Sequence, residues 1–538
     1  MKTDVSRRTF LSGAAVVGAS ALAAGLAGCS NGTGASNAAE GSEETEAAAP
    51  VEHNPANTET CDIVVVGSGT AGMAAAARAR QLGANVIQLE KNPYFGGSSG
   101  YAEGIGAINS YMHRDAGLEF DVDEAFLRTQ DYHHWAATSD VLRQFIQESG
   151  NTIDWLHDEC GIEFYTATVT APTSYPSWHL GSKPDGTLGR ILDTYINPMA
   201  DYLAEIGVDA RLECPATGLI VENDVVKGVY YTDADGVENA IEANAVILAT
   251  GGYASNPELF EEFSHIPHER VHDWGTVGRD GDGITWAREL GAALHFPSNV
   301  MFGSTQIPGA NEFEDLAGWI FAWNPGLRVN EKAQRFFNEM LMADFSVAGN
   351  SIINQEKCFT IIDQAYLDQC CKVALPQGLE SVGYITGEPL EGAQEAIDAA
   401  VEDGRIFKAD TLEDLAAQLG LDPDALVATV DGYNACAEAG EDKMFGCIAD
   451  ALIPVKTAPF YGAQNNPAMF ATVGGLNVDT QFRVLREDGT IIENLYAIGG
   501  DASSYTGTCY DVGIMSGAQQ GWCATGGRLT AEYILGER

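Results

Sequence analysis

Residues 62–66 read Asp-Ile-Val-Val-Val, a short β-branched run whose unbroken hydrophobicity predicts a parallel strand buried on both faces. Gly67-Ser68-Gly69 then marks a tight turn, and an Ala-rich stretch opening at Thr70, Ala71 and Gly72 predicts a helix to about residue 82. A second apolar run, residues 85–89, predicts a neighbouring strand that ends at Glu90. Glycine serves three purposes in such a unit: the turn at Gly67, close approach of a diphosphate at Gly69, and close helix-on-strand packing at Gly72. The amides at the start of the helix suit that diphosphate, and Glu90 stands where an acid accepts hydrogen bonds from a ribose. The order strand, turn, helix, strand, acid predicts a dinucleotide site, which the glycines alone would not.

Helical spacing over residues 122–160 (Val141, Leu142, Phe145, Ile146 and Ile153 after a Ser139-Asp140 cap) predicts a long helical region. Strands are predicted at residues 216–222, 229–231 and 245–249, and Asn256-Pro257 closes the series. Residues 257–453 mix helices and loops, including a helix over 411–419 capped by Thr411. Within them Trp319, Phe321 and Trp323 alternate, which predicts a strand with one aromatic face, serving as core or as a wall for a flat substrate. The nucleotide-domain pattern returns only after Pro459. The fold class is therefore α/β: a discontinuous Rossmann-like nucleotide domain (61–256 and 456–538) interrupted by an inserted α+β cap (257–455). No internal repeat is visible.

The N-terminus departs from this pattern. Ser6-Arg7-Arg8-Thr9-Phe10-Leu11 precedes an apolar run over residues 13–28, too short for the about 20 residues of a spanning helix, and reads as a twin-arginine export signal. Leu26-Ala27-Gly28-Cys29 resembles a bacterial lipoprotein cleavage site. Cys29 would then carry a lipid tether at the extracytoplasmic face; ordinary cleavage would give a soluble periplasmic or secreted protein. Residues 30–60, rich in Ala, Ser, Asn, Glu and Gly, predict a flexible spacer.

Composition narrows the partners. The 538 residues are 45% hydrophobic, enough for a large core, and 76 acidic against 29 basic residues give a net charge of −47. That balance excludes a basic nucleic-acid stripe. The eleven cysteines form no CxxC, so covalent c-type haem is excluded and no metal is expected; His133, His134, His265 and His268 read as ordinary helix or loop residues.

Further segments decide which dinucleotide. Lys91-Asn-Pro-Tyr-Phe-Gly96-Gly97-Ser98-Ser99-Gly100 is followed by Gly104; Ala245-Val-Ile-Leu-Ala-Thr250-Gly251-Gly252 and Asn494-Leu-Tyr-Ala-Ile-Gly-Gly-Asp501 lie far downstream. Together these resemble the flavoprotein family of fumarate reductase and succinate dehydrogenase, which includes ketosteroid dehydrogenase-like and urocanate reductase-like members. The resemblance covers roughly residues 62–538. It implies FAD, with its diphosphate on the first glycine turn, its ribityl chain near Gly96 to Ser99, and its far end near Asp501. Lys91, Gly104, Ala216, Ser516 and Gly517 complete the implied cofactor-binding set. The histidine that carries a covalent flavin in some relatives is not matched near Gly97, so FAD is expected to be noncovalent.

Departures from the family are informative. Arg335-Phe-Phe-Asn-Glu-Met-Leu-Met-Ala343-Asp344 has alanine where fumarate reductases place their proton-donating arginine. Their His-Thr-x-Gly-Gly is here Ala471-Thr-Val-Gly-Gly, and no Arg, Lys or His lies between Asp501 and Arg528. Carboxylate recognition favours arginine forks, so a dicarboxylate fits poorly. Tyr505-Thr-Gly507-Thr-Cys509-Tyr510 stands there instead. Ketosteroid dehydrogenases carry Tyr-x-Gly-x-Gly, whose tyrosine and last glycine polarise a ketone, and Cys509 replaces that glycine. Tyr505 and Tyr510 are the candidate catalytic groups; a phenol with a pKa near about 10 stays a proton donor at neutral pH. The expectation is an exported FAD-dependent reductase of an activated C=C bond in an apolar, aromatic or steroid-like substrate. Electrons would come from a separate partner, a membrane quinol-linked cytochrome or a flavoprotein. The alternatives are the same chemistry run as a dehydrogenase, and a flavin-bearing electron-transfer protein without turnover.

Overall fold

The first strand, Thr58–Val66, begins three residues before the predicted run, because Thr58, Glu59 and Thr60 already pair with Ala240, Ile241 and Glu242. Those residues, assigned to the spacer on composition, belong to the sheet: Glu59 is held there by the Arg211 guanidinium and the Tyr231 hydroxyl. The computed structural model describes residues 53–538 except 170–173, 276–277, 311–314 and 381–382. The twin-arginine leader, Cys29 and most of the spacer thus lie outside the described residues.

Thr58–Val66 is the centre of an eight-stranded sheet, with Val86–Leu89 and Glu238–Leu248 parallel on either side. Its residues Ile63 to Val65 are fully buried, as an unbroken apolar run requires. Thr70–Gln81 crosses over to the second strand and packs on the C-terminal helix, Ala518–Ile534. Small residues allow that approach: a methyl group at Gly527 would stand 2.4 Å from the Ala71 carbonyl oxygen.

A second, six-stranded sheet forms the cap. Its core strand, Phe460–Thr472, pairs with Cys358–Asp363, Val300–Gln306, Phe407–Ala409 and His272–Asp273. This moves the return to the nucleotide domain from residue 456 to beyond Thr472, since four cap strands satisfy that strand's backbone. Its last residue touches the other domain, where Thr472 Oγ1 accepts from the Tyr253 amide at 3.1 Å.

Three local expectations are corrected or refined. The helical region over 122–160 is two helices, Val122–Tyr132 and Ser139–Asp158, separated where His134 and Trp135 take positive φ (55° and 58°). Thr138, not Ser139, is the N-cap residue of the second helix. The Trp319 segment is a helical turn rather than a strand: Asp315 caps it by accepting from the Gly318 amide at 2.8 Å, and Trp319–Trp323 is wound as a π-turn. Thr411 caps Leu412–Leu419 as predicted, accepting from the Asp414 amide at 3.1 Å.

Candidate active site

A cavity of about 750 Å³ runs from the first glycine turn to the cap. Its nucleotide end is shaped by backbone that tolerates no side chains. Gly67 has φ +110°, and a methyl there would meet the Ala249 carbonyl oxygen at 2.2 Å. Thr70–Gln81 starts at Gly69 without a side-chain cap, which leaves its first amides pointing to the cavity with the positive end of the helix dipole. The Ser99 hydroxyl accepts one of them, from Thr70, at 3.2 Å. Glu90, buried at the strand end, accepts from the Ser68 amide and hydroxyl and from the Asn92 amide, which ties the acid to the turn.

Of the sequence-predicted residues, Gly67, Gly69, Thr70, Ala71, Glu90, Lys91, Gly96, Gly97, Ser98, Ser99, Gly104, Ala216, Thr250, Gly251, Ser516, Gly517 and Tyr510 line this cavity. Four do not. A methyl on Gly72 would lie 2.1 Å from the Gly67 carbonyl oxygen, so its role is helix-on-turn packing. Asp501 sits behind the Thr250-Gly251-Gly252 loop, accepting from the Thr250 hydroxyl at 2.9 Å and the Gly252 amide at 3.0 Å. It braces that loop rather than facing the cavity, and Gly252 is one of the groups it holds. Burial pushes the Asp501 carboxyl up, although these donors oppose the shift.

Tyr505 is the fourth. It is fully buried, its ring stacks on Trp522 at 4.7 Å, and its hydroxyl donates to Gln519 Oε1. The tyrosine at the motif's first position therefore serves the core. Tyr510, five residues on, faces the cavity, with its ring lying against Phe345 and its hydroxyl oxygen accepting from the Gln519 amide at 3.4 Å. Burial pushes its phenol well above the ordinary tyrosine range.

The cap end is aromatic. Trp319 and Trp323, one helical turn apart, stack at 5.3 Å with an interplanar angle of 9°, and both line the cavity; Phe321 is fully buried and does not. The Trp319 indole donates to the Gln377 carbonyl at 2.8 Å, which fixes the pair. Phe345 and Phe470, 5.7 Å apart edge to face, extend the wall. Neither carried a sequence signal, since each becomes part of the site only when the cap folds over the nucleotide domain. The two basic residues lining the cavity are engaged elsewhere: Lys91 with Asp280 and Asp282 at 2.8 Å each, and Arg279 with Asp273 and the Phe470 carbonyl. Burial would lower the Lys91 pKa, but the two aspartates outweigh it and hold it up. Among the described residues no group of three His, Cys, Asp or Glu is placed to hold a metal.

A parallel-sheet domain with a glycine turn, a free helix N-terminus and a strand-end acid, roofed by a second domain, defines a dinucleotide-dependent redox protein. The chain belongs to the FAD binding domain family, whose model matches residues 62–514. FAD is its cofactor, and the cavity residues fit it: the glycines leave the cradle open and the uncapped helix start meets a diphosphate. The chain is an FAD-dependent oxidoreductase. It is 33% identical over 487 residues to a vinyl phenol reductase of Lactiplantibacillus plantarum, covering 89% of this chain and 97% of that one. It is 27% identical to an NADH:acrylate oxidoreductase of Vibrio harveyi, over 82% of this chain but only 47% of that longer protein. The fold matches a 3-ketosteroid Δ1-dehydrogenase of Sterolibacterium denitrificans with a TM-score of 0.71 at 21% identity, covering 89% of this chain and all of that one.

Proposed function

We propose that the chain reduces an activated carbon–carbon double bond conjugated to an uncharged aromatic ring, with electrons from a separate donor. One observation carries the reading: the cap end of the cavity is walled by Trp319, Trp323, Phe345 and Phe470, and Ala343 stands where a carboxylate reductase needs an arginine. A flat neutral ring gains from such walls, whereas a carboxylate would enter without a charged partner. The likeness to the vinyl phenol reductase supports the same substrate class.

The glycine turn and the start of Thr70–Gln81 hold the FAD diphosphate, Glu90 receives the ribose, and Asp501 keeps the Thr250–Gly252 loop in register. Bound FAD supplies the hydride. Tyr510 donates the accompanying proton, and its burial keeps it a neutral phenol until a substrate carbon takes that proton. The stacked indoles orient the ring and exclude water. The enzyme works at the extracytoplasmic face, tethered through Cys29, a reading supported by Arg7-Arg8 and the Leu26–Cys29 sequence and checked by mass spectrometry of the mature N-terminus.

The test is anaerobic turnover of the holoenzyme with a reduced viologen dye across vinylphenols, enones, cinnamates and fumarate. Neutral vinylarenes should have the highest kcat/KM. Fumarate as the best substrate would overturn the proposal.

A further inference from the structure

Directly behind the cavity wall lies a group of buried acids that the mechanism above leaves unused. Ala343 and Phe345 line the cavity while Asp344 between them does not; Tyr510 and Val512 line it while Asp511 between them does not. The two segments thus present their acids to the same interior. The Tyr132 hydroxyl donates to the Asp344 carboxylate, 2.8 Å from Oδ2. Gly513 lies flat on both: a methyl there would come within 2.9 Å of the Tyr132 ring and 3.1 Å of Asp344 Oδ2. Asp511 is 1% exposed and accepts from the Ile514 amide at 2.7 Å and the Met515 amide at 3.2 Å.

The charges around this pair do not balance it. Asp511 faces Asp344, the Tyr132 phenol, the Cys509 thiol and the adjacent Tyr510, all neutral or anionic, and its one cationic influence is Arg128. That guanidinium sits 4.6 Å over the Tyr175 ring. His133, next to Tyr132, is buried, and burial pulls it down to about 4, so it stays uncharged. Two carboxyl groups in a low-dielectric interior cannot both ionise cheaply. Burial first, and then Asp344, push Asp511 up to about 7; burial also raises Asp344, against the Tyr132 hydrogen bond.

We propose that Asp344 and Asp511 hold one proton between them at neutral pH, and that this proton replaces the one Tyr510 gives to substrate. The second half rests on the assignment of Tyr510 above. In each cycle the Tyr510 O–H bond breaks as a C–H bond forms. The double bond accepts that proton together with the hydride of the reduced cofactor, a two-electron reduction. The tyrosinate then takes the pair's proton, and the pair, left with two charges, recovers one from water.

Infrared spectroscopy of the holoenzyme with carboxyl-labelled aspartate reads the shared proton without any substrate. A protonated Asp carbonyl band should persist at neutral pH and fade as pH rises, when the exposed carboxylates have long been ionised. Asp344→Asn and Asp511→Asn, which keep acceptor oxygens for the local amides, should each move the remaining group's fade to lower pH. Tyr132→Phe should move it higher, because the anion loses its donor. Bound FAD absorbance confirms that each variant is folded. No band in the wild type, or a fade at the wild-type pH in both Asn variants, overturns the shared proton. With a vinylarene substrate, kcat should fall across the same pH as the band, and Asp511→Asn should shift that fall. An unshifted profile overturns the return to Tyr510. If no alkene is turned over, the proposed function and the Tyr510 half fall together, while the infrared result still decides the pair.

Discussion

Replacing Tyr510 and Tyr505 separately with phenylalanine separates chemistry from architecture, because each substitution removes one oxygen and leaves a ring in place. At Tyr510 the ring keeps its contact with Phe345, and the bond lost is the long one, 3.4 Å from the Gln519 amide. Such a bond contributes at most about 1 kcal/mol to stability. If the hydroxyl is the proton donor, turnover should drop by about 10²- to 10⁴-fold, equivalent to roughly 3–5 kcal/mol of transition-state stabilisation. At Tyr505 the ring keeps its stacking on Trp522 and its edge contact with Phe145 at 5.6 Å, but the bond to Gln519 Oε1 is lost deep in the core. That should lower stability by about 0.5–1.5 kcal/mol, with turnover within a few-fold of wild type. Thermal unfolding followed by flavin fluorescence gives the first quantity; anaerobic dye oxidation with a vinylarene gives the second. A Tyr510→Phe enzyme with full kcat, or a Tyr505→Phe enzyme crippled in kcat but not in stability, would refute the assignment.

Gly67→Ala should abolish FAD retention on gel filtration, because the new methyl meets the Ala249 carbonyl at 2.2 Å and φ is +110°; overpacking of this kind costs about 1–3 kcal/mol before strain is added. Ala343→Arg, which restores a cation to the cavity wall, should lower KM for a cinnamate relative to a neutral vinylarene, and a charged hydrogen bond of about 1.5–3 kcal/mol sets the scale; unchanged selectivity would argue against the neutral-pocket reading. Glu148 is pulled down to about 2: burial alone would raise it, but Arg538 and Arg528 outweigh that effect. A depressed carboxyl contributes stability that is present above its unfolded value and lost as pH falls from about 4.5 towards 2. Arg538→Ala should therefore shift the acid unfolding midpoint, followed by circular dichroism, to higher pH.

The two ends of the cavity differ in how far the sequence reveals them. At the nucleotide end the strand, turn, helix and acid occupy some thirty consecutive residues, and each glycine answers a contact within that stretch or on the strand beside it. Local chemistry and final geometry coincide there. Even so, spacing could not separate Gly69, which lines the cavity, from Gly72, which packs, or show that Asp501 acts through Thr250 and Gly252. At the substrate end, spacing misleads. Residues 319 and 323 are equivalent under a period of two and also one turn apart on a helix, and the deciding signal was the capping Asp315, four residues before Trp319. The motif reading placed Tyr505 and Tyr510 together, yet the chain turns one into the core and the other to the cavity. Ala343, Phe345, Phe470 and Tyr510 meet only because Phe460–Thr472 is claimed by the cap sheet and carries its end back to Tyr253. Substrate choice in this architecture is thus a property of the junction between domains, where a few side chains drawn from distant segments can change the charge of the wall without disturbing the cofactor cradle. The missing arginine at residue 343 is such a change, and the acids left behind it are where its consequences for proton supply should be sought.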